Sequence, residues 1–215
     1  MSLSAVEEYI ETGNYQDLDL LLSQSPEEAS RLTSHGISPL LLACYFNKMD
    51  IIKILLKYLK KIDIHEACAV GLYKEVEMML SNNPQAIEEI SKDGFTPLGI
   101  ASHFGQSTIV RLLLTSHANP NAPSQNGFFV YPIHSALSNG YNEIAKMLLE
   151  AGAEVNVLQA QGIAPIHIAA QQGNIDILIL LLEKGADVSA KNEFGETASE
   201  LAYEKGFKEI AEILK

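Results

Sequence analysis

The 215-residue chain contains no tryptophan, only two cysteines, and 15 lysines and arginines against 27 aspartates and glutamates. Each shortage excludes something. Two thiols, Cys44 and Cys68, do not make the disulfide framework of a small secreted domain, so a reducing compartment, by default the cytoplasm, is expected. The net charge of −12 has the wrong sign for a phosphate backbone or an anionic membrane surface. Neither nucleic acid nor membrane is therefore expected as a partner, and a charged partner surface would be basic. No apolar run approaches the roughly 18–20 residues of a membrane span. The richest stretch, 51–59, is interrupted by Lys53 and Lys57. The first eight residues, Met-Ser-Leu-Ser-Ala-Val-Glu-Glu, lack the basic start and apolar stretch of a secretion signal. There is no Gly-x-Gly-x-x-Gly, no phosphate loop and no Gly-x-Ser-x-Gly nucleophile turn. What remains is an ordinary composition, 47% hydrophobic and 20% charged, long enough to bury a substantial core.

The chain is rich in repetition. Ala164-Pro165-Ile166-His167-Ile168-Ala169-Ala170 is followed by Gly173 and Leu181-Leu182. The same frame runs from Ser38-Pro39-Leu40 through Ala43, Asn47 and Leu55-Leu56, and from Thr96-Pro97-Leu98 through Ala101, Gly105 and Leu113-Leu114. Tyr131-Pro132-Ile133-His134 leads likewise to Ala136, Gly140 and Leu148-Leu149. Weaker copies begin at Ser4, Ile62 and Thr197, giving seven copies whose starts are separated by 34, 24, 34, 35, 33 and 33 residues. Proline in the first turn of a helix loses nothing by lacking an N–H. The alanine five residues on lets paired helices approach closely, and the glycine nine residues on ends the first helix in a left-handed turn. The second helix carries apolar residues at helical spacing. One such unit cannot cover its own apolar face, so neighbours must stack.

A period near 33 with Thr-Pro-Leu-His-x-Ala resembles the ankyrin-repeat family, and the resemblance covers nearly the whole chain. It implies an all-α solenoid with short β-hairpin loops, about seven helix pairs in one domain, 1–215, divided near 1–34, 35–61, 62–92, 93–125, 126–160, 161–192 and 193–215. It also implies a non-catalytic protein-interaction module without cofactors that binds another protein through its concave face and hairpin fingers. A peptide or small-molecule groove on the apolar half of that face is the alternative. Polar end repeats (Glu7, Glu8, Glu11 and Asp17 at one end; Glu204, Lys205, Lys208, Glu209, Glu212 and Lys215 at the other) make a capped monomer the expectation.

Three departures from the pattern carry information. The step from Ser38 to Ile62 is about ten residues short, which leaves no room for a hairpin finger. Repeats one and three end in Ser25-Pro26 and Asn83-Pro84 where Gly-Ala-Asp would stand. Gly127-Phe128-Phe129-Val130-Tyr131-Pro132 carries two extra residues, which either fold back on the next repeat or present an exposed apolar finger.

The histidines raise the question of a metal. His65, His134 and His167 fill the last place of the Thr-Pro-Leu-His frame, where the resemblance implies a structural hydrogen bond between adjacent loops. His65 and Cys68, three apart on a helix, offer two zinc ligands without a second pair. Cys68 aligns with Cys44, Ser102 and Ala170, the place of a small core residue, so the metal reading, with His103 as a further candidate, ranks below it. Lys53, Lys57, Lys60 and Lys61 read as a solvated helix end.

The resemblance directs attention to the two positions after the Ala-Ala pair. From repeat two to seven these are Tyr45-Phe46, Ala69-Val70, His103-Phe104, Ser138-Asn139, Gln171-Gln172 and Glu204-Lys205. The first three pairs are aromatic or apolar and the last three are amides, hydroxyl and charge. Tyr45, Phe46, Val70, His103 and Phe104 are thus the candidate partner-binding anchor, with Phe128 and Phe129 reaching from the finger. The competing expectation is that Phe46 and Phe104 turn partly inward and fill space between repeats.

Overall fold

A computed structural model describes residues 4–215. Among them are fourteen α-helices in seven antiparallel pairs. The pairs are α1 (Ala5–Thr12) with α2 (Tyr15–Gln24), α3 (Pro39–Tyr45) with α4 (Met49–Tyr58), and α5 (Ile64–Val70) with α6 (Tyr73–Asn82). Next come α7 (Pro97–His103) with α8 (Ser107–Thr115) and α9 (Pro132–Ser138) with α10 (Asn142–Glu150). The last two are α11 (Pro165–Gln171) with α12 (Ile175–Glu183) and α13 (Ala198–Glu204) with α14 (Lys208–Ile213). Inner helices α1, α3, α5, α7, α9, α11 and α13 stack each on the next, and the main contacts run between neighbours in this order. The expected solenoid is the fold.

The capping chemistry explains where each inner helix begins. Hydroxyls of Ser38 and Thr96 accept from the amides of Leu41 (3.2 Å) and Gly99 (3.1 Å), with proline in the next position. Helix α5 has neither hydroxyl nor proline. It starts one residue late, at Asp63, whose carboxylate caps the Glu66 amide while Glu66 reaches back to the Asp63 N–H, both at 2.8 Å. Ala43, Ala67, Ala101, Ala136, Ala169 and Ala202 are fully buried at the contact between helices. Where glycine is replaced at a left-handed turn, Asn47 (φ 52°) and His117 (φ 69°) adopt that conformation themselves.

Between pairs the chain makes fingers. They are tight turns with isolated bridges, Gln159 with Ile163 and Lys191 with Thr197, and no extended strand forms among the described residues. Main-chain bonds tie each finger to the one before it: Gln125 N–H to Gly94 C=O (2.7 Å), Ala160 to Phe128 (2.8 Å) and Glu193 to Gln161 (3.0 Å). The three histidines add a second tie, donating from Nε2 to the carbonyls of Glu89, Ile163 and Ala190 at 2.8–3.1 Å. Burial holds His134 down to about 4, against the pull of the Ile163 and Val157 backbone, so it stays neutral as it donates.

Two connections differ from a plain finger. Residues 59–63 join α4 to α5 directly, so the finger is absent where the short step predicts. After α2 and α6, Pro26–Ser30 and Pro84–Glu88 form 3-10 turns, which the spacing did not disclose.

One expected surface residue is a correction. Glu7 is 2% exposed and belongs to the interior of repeat one. The finger 32–38 has no earlier finger among the described residues to pair with, and the Glu7 carboxylate takes that role, accepting from the Ser34 amide (2.7 Å) and hydroxyl. It also accepts from the Ser4 amide at 2.8 Å. Burial alone would raise its carboxyl, but these donors outweigh burial and hold it near 2. Because the folded value lies below the usual 4.5, the stabilisation is complete above that pH and is lost as pH falls toward 2. Glu7→Gln is expected to lower the urea midpoint at pH 7 and to lose most of that difference at pH 3. An equal deficit at both pH values would contradict this account.

Candidate functional site

The seven candidate anchor residues fall into two groups in space. Tyr45 from α3, Val70 from α5, and His103 with Phe104 at the end of α7 line one open depression of about 410 Å³ on the inner side of the solenoid. Phe46 is outside its lining and 44% exposed, contrary to the expectation that it turns inward. Phe104 does turn partly inward and packs on the core. Phe128 and Phe129 stand on the finger of repeat five, 61% and 56% exposed. The inserted segment therefore divides: Tyr131 packs inward, its ring 5.6 Å from that of His134, while the two phenylalanines face out. Phe129 holds φ 51°, a left-handed conformation that is unfavourable for a bulky side chain.

The depression owes its shape to small residues and to the absent finger. Tyr45 and the pair His103-Phe104 belong to repeats two apart, yet their ring centroids lie 5.4 and 5.1 Å apart. Ala69 and Val70, between them, are too small to hold them off. No finger stands between those of residues 32–38 and 90–96, and the Tyr45 hydroxyl crosses the gap to donate to Asp93 Oδ2 at 2.6 Å. Burial and the Asp93 carboxylate push the phenol well above its ordinary range, so it remains a donor. Burial also lowers the His103 imidazole below its usual value and so favours the neutral ring, while Asp93 pulls the other way. His103 and Phe104 meet edge to face at 4.8 Å, a favoured aromatic geometry.

Eight lining residues lie outside the candidate set, among them Met49, Gln106, Asn139 and Tyr141. Asn139 appears in the column read from the sequence, but as the start of its polar half. Gln106 and Tyr141 share a register position, the residue after the turn glycine (Gly105, Gly140), which a column drawn through that position would have singled out. Gly105 has φ +73°, and a Cβ there would lie 2.6 Å from the Tyr141 ring, so only glycine lets that ring cover the turn. Leu158 and Phe194 were also not anticipated. They are exposed on the fingers that follow Phe128 and Phe129.

The residues considered for a metal are engaged elsewhere. His65 uses Nε2 on Glu89, and burial pushes the Cys68 thiol far up. Burial, aided by Glu66, pushes Cys44 up to about 12. Among the described residues no three His, Cys, Asp or Glu side chains group as metal ligands, and both cysteines are free. Lys53 pairs with Asp50 and Lys57 with Asp19, each at 3.0 Å. No helix among the described residues is long and apolar enough to cross a membrane.

The family model described as Ankyrin repeats (3 copies) matches residues 5–124, 64–159 and 133–215. The chain is 33% identical over 101 residues to rat Ankyrin repeat and SAM domain-containing protein 6, covering 46% of this chain and 11% of that protein. It is 38% identical over 87 residues to a Putative ankyrin repeat protein of Rickettsia bellii, covering 40% and 35%. Human Rabankyrin-5 is 34% identical over 94 residues, covering 43% and 8%. The matches thus span about a third or less of these relatives.

The bridge across repeat three gives a direct test. Tyr45→Phe and Asp93→Asn are each expected to destabilise by about 1 kcal/mol, and the double variant by no more than either alone. Additive losses in urea titrations would mean that the two side chains do not cooperate.

Proposed function

The chain belongs to the ankyrin-repeat family, and on that premise we propose that it is a non-catalytic module that grips a partner protein with its concave side and fingers. Ankyrin repeats are in general protein–protein interaction modules. The observation that carries the finer reading is the contiguous aromatic and apolar group Tyr45, Val70, His103 and Phe104 around one depression. In repeats five to seven the same column holds exposed amides and charges. Contiguous apolar surface that a monomer leaves uncovered is characteristic of interaction sites, and aromatic residues dominate their energetics. Phe46 at the margin, and Phe128, Phe129, Leu158 and Phe194 on successive fingers, extend the grip along the same side.

The working state in this reading is a monomer in a reducing compartment, the cytoplasm. Two buried free thiols support the compartment. The polar helix faces of the end repeats support the monomer.

A photo-cross-linking amino acid at position 46, on the inner side, is expected to capture a discrete partner in cells that express the chain. The same group at position 78, exposed on outer helix α6, is expected to capture none. Phe104→Ala should weaken that capture roughly tenfold to a hundredfold while leaving the fold intact. Equal capture from both positions, or none from position 46, would overturn the proposal.

A further inference from the structure

We propose that the depression between Tyr45 and Tyr141 is a receptor for a basic side chain of the partner, arginine in preference to lysine. This names the chemistry of the partner and rests on the concave-face reading above. Three independent features of the pocket carry it.

The first is the donor and acceptor inventory. Gln106 spends its Nε2 on the Ala69 carbonyl at 3.0 Å. Asn139 spends its Nδ2 on the Ser135 carbonyl at 2.9 Å and faces His103 Nδ1 at 3.4 Å. Each amide nitrogen thus has a backbone carbonyl as partner, and neither Gln106 Oε1 nor Asn139 Oδ1 accepts a hydrogen bond from the described residues. Both residues line the pocket. The Gln106 amide is seated by Gly71, where a Cβ would lie 2.6 Å from its oxygen. A purely apolar occupant would leave these acceptors unanswered as it displaced their water, whereas a guanidinium brings five donors in a fixed plane.

The second feature is the walls. Tyr45, Phe104, His103 and Tyr141 line the site, and aromatic faces attract a cation placed over them. Arginine adds flat stacking to that attraction, which the more strongly hydrated ammonium of lysine cannot match. The aliphatic stem of either side chain would lie against Met49, Ile52 and Val70.

The third feature is charge. No lysine or arginine lines the depression. Its histidine is held toward the neutral form, and the Asp93 carboxylate sits 2.6 Å from the Tyr45 hydroxyl at its edge. The chain as a whole carries −12, which draws a basic partner and repels an acidic one.

Four capped amino acids serve as probes: the N-acetyl methylamides of arginine, lysine, leucine and glutamate, each titrated into the isotope-labelled full chain and followed by NMR. The arginine probe is expected to give a saturable shift of the Gln106 and Asn139 side-chain amide signals and of the Phe104 ring. The lysine response should be weaker, and those of leucine and glutamate weaker than arginine by roughly tenfold or more. Phe104→Leu keeps the site apolar and near its volume but removes the ring, and should weaken the arginine response several-fold with the backbone spectrum otherwise preserved. A leucine probe that binds as well as arginine, a lysine probe that binds better, no saturable arginine response, or an unchanged response in Phe104→Leu would each overturn the proposal. Cross-linking at position 46 without an arginine response would remove this inference and keep the protein-binding reading. An arginine response without a cross-linked partner would leave the depression's preference for a guanidinium standing and remove its assignment to a partner protein.

Discussion

A helix pair of this length has an apolar face that it cannot cover, and everything else in the molecule follows from covering it with the next pair. The contact that makes this possible is the column of alanines, Ala43, Ala67, Ala101, Ala136, Ala169 and Ala202, each fully buried on an inner helix. A larger side chain at any of them would separate two pairs and overpack a core of leucine and isoleucine. Because the main contacts run between neighbours, stability is distributed largely as a sum of local terms and interface terms. A change in one repeat is felt mainly by the two beside it, the reach of Tyr45 over repeat three being the exception.

That nearest-neighbour arrangement explains how the fold tolerates an omitted finger. In repeats five to seven each finger passes a main-chain N–H to the one before, and the loss of one rung forfeits only that rung. At the omission the chain substitutes side chains for the missing backbone. Asp63 and Glu66 cap α5 where Thr-Pro is absent, and Tyr45 reaches Asp93 across the gap. At the first finger Glu7 replaces the missing neighbour with its carboxylate. Each substitution is a charged group answering an orphan polar group, the usual requirement for buried main chain.

The parts of the fold that were legible in the sequence are those whose cause is local. Proline and a capping hydroxyl mark a helix start, glycine marks the left-handed turn, and the spacing of Leu-Leu pairs marks the outer helix, so pairs and period could be read directly. The short step before Ile62 likewise announced the missing finger, and the frame histidines announced the ties between loops. What escaped depends on residues far apart in the chain. Glu7 looks like one of several surface acids until Ser34, 27 residues on, is brought beside it. Tyr45 and Asp93 are 48 residues apart and in dissimilar repeats. The register column was enough to propose Tyr45, Val70, His103 and Phe104 as neighbours, since stacking puts equal positions side by side. It could not exclude Phe46 from the depression, because adjacent residues on a helix point about 100° apart.

A solenoid built from repeats separates the residues that specify the fold from those free to vary. The buried alanine recurs in six repeats, the turn glycine in six and the frame histidine in three, because each serves the packing or the turn of its own repeat. The two positions after each alanine pair are released from that duty, and they differ most along the chain. In this molecule the free positions are small in the repeat whose finger is missing, aromatic in the two repeats that flank it, and polar where the fingers are continuous. The two irregularities coincide for a physical reason: only where no finger stands can Tyr45 cross to Asp93 and close the wall of a depression floored by small side chains. The omission that costs the fold one rung of its ladder is therefore also what shapes the concave surface into a site.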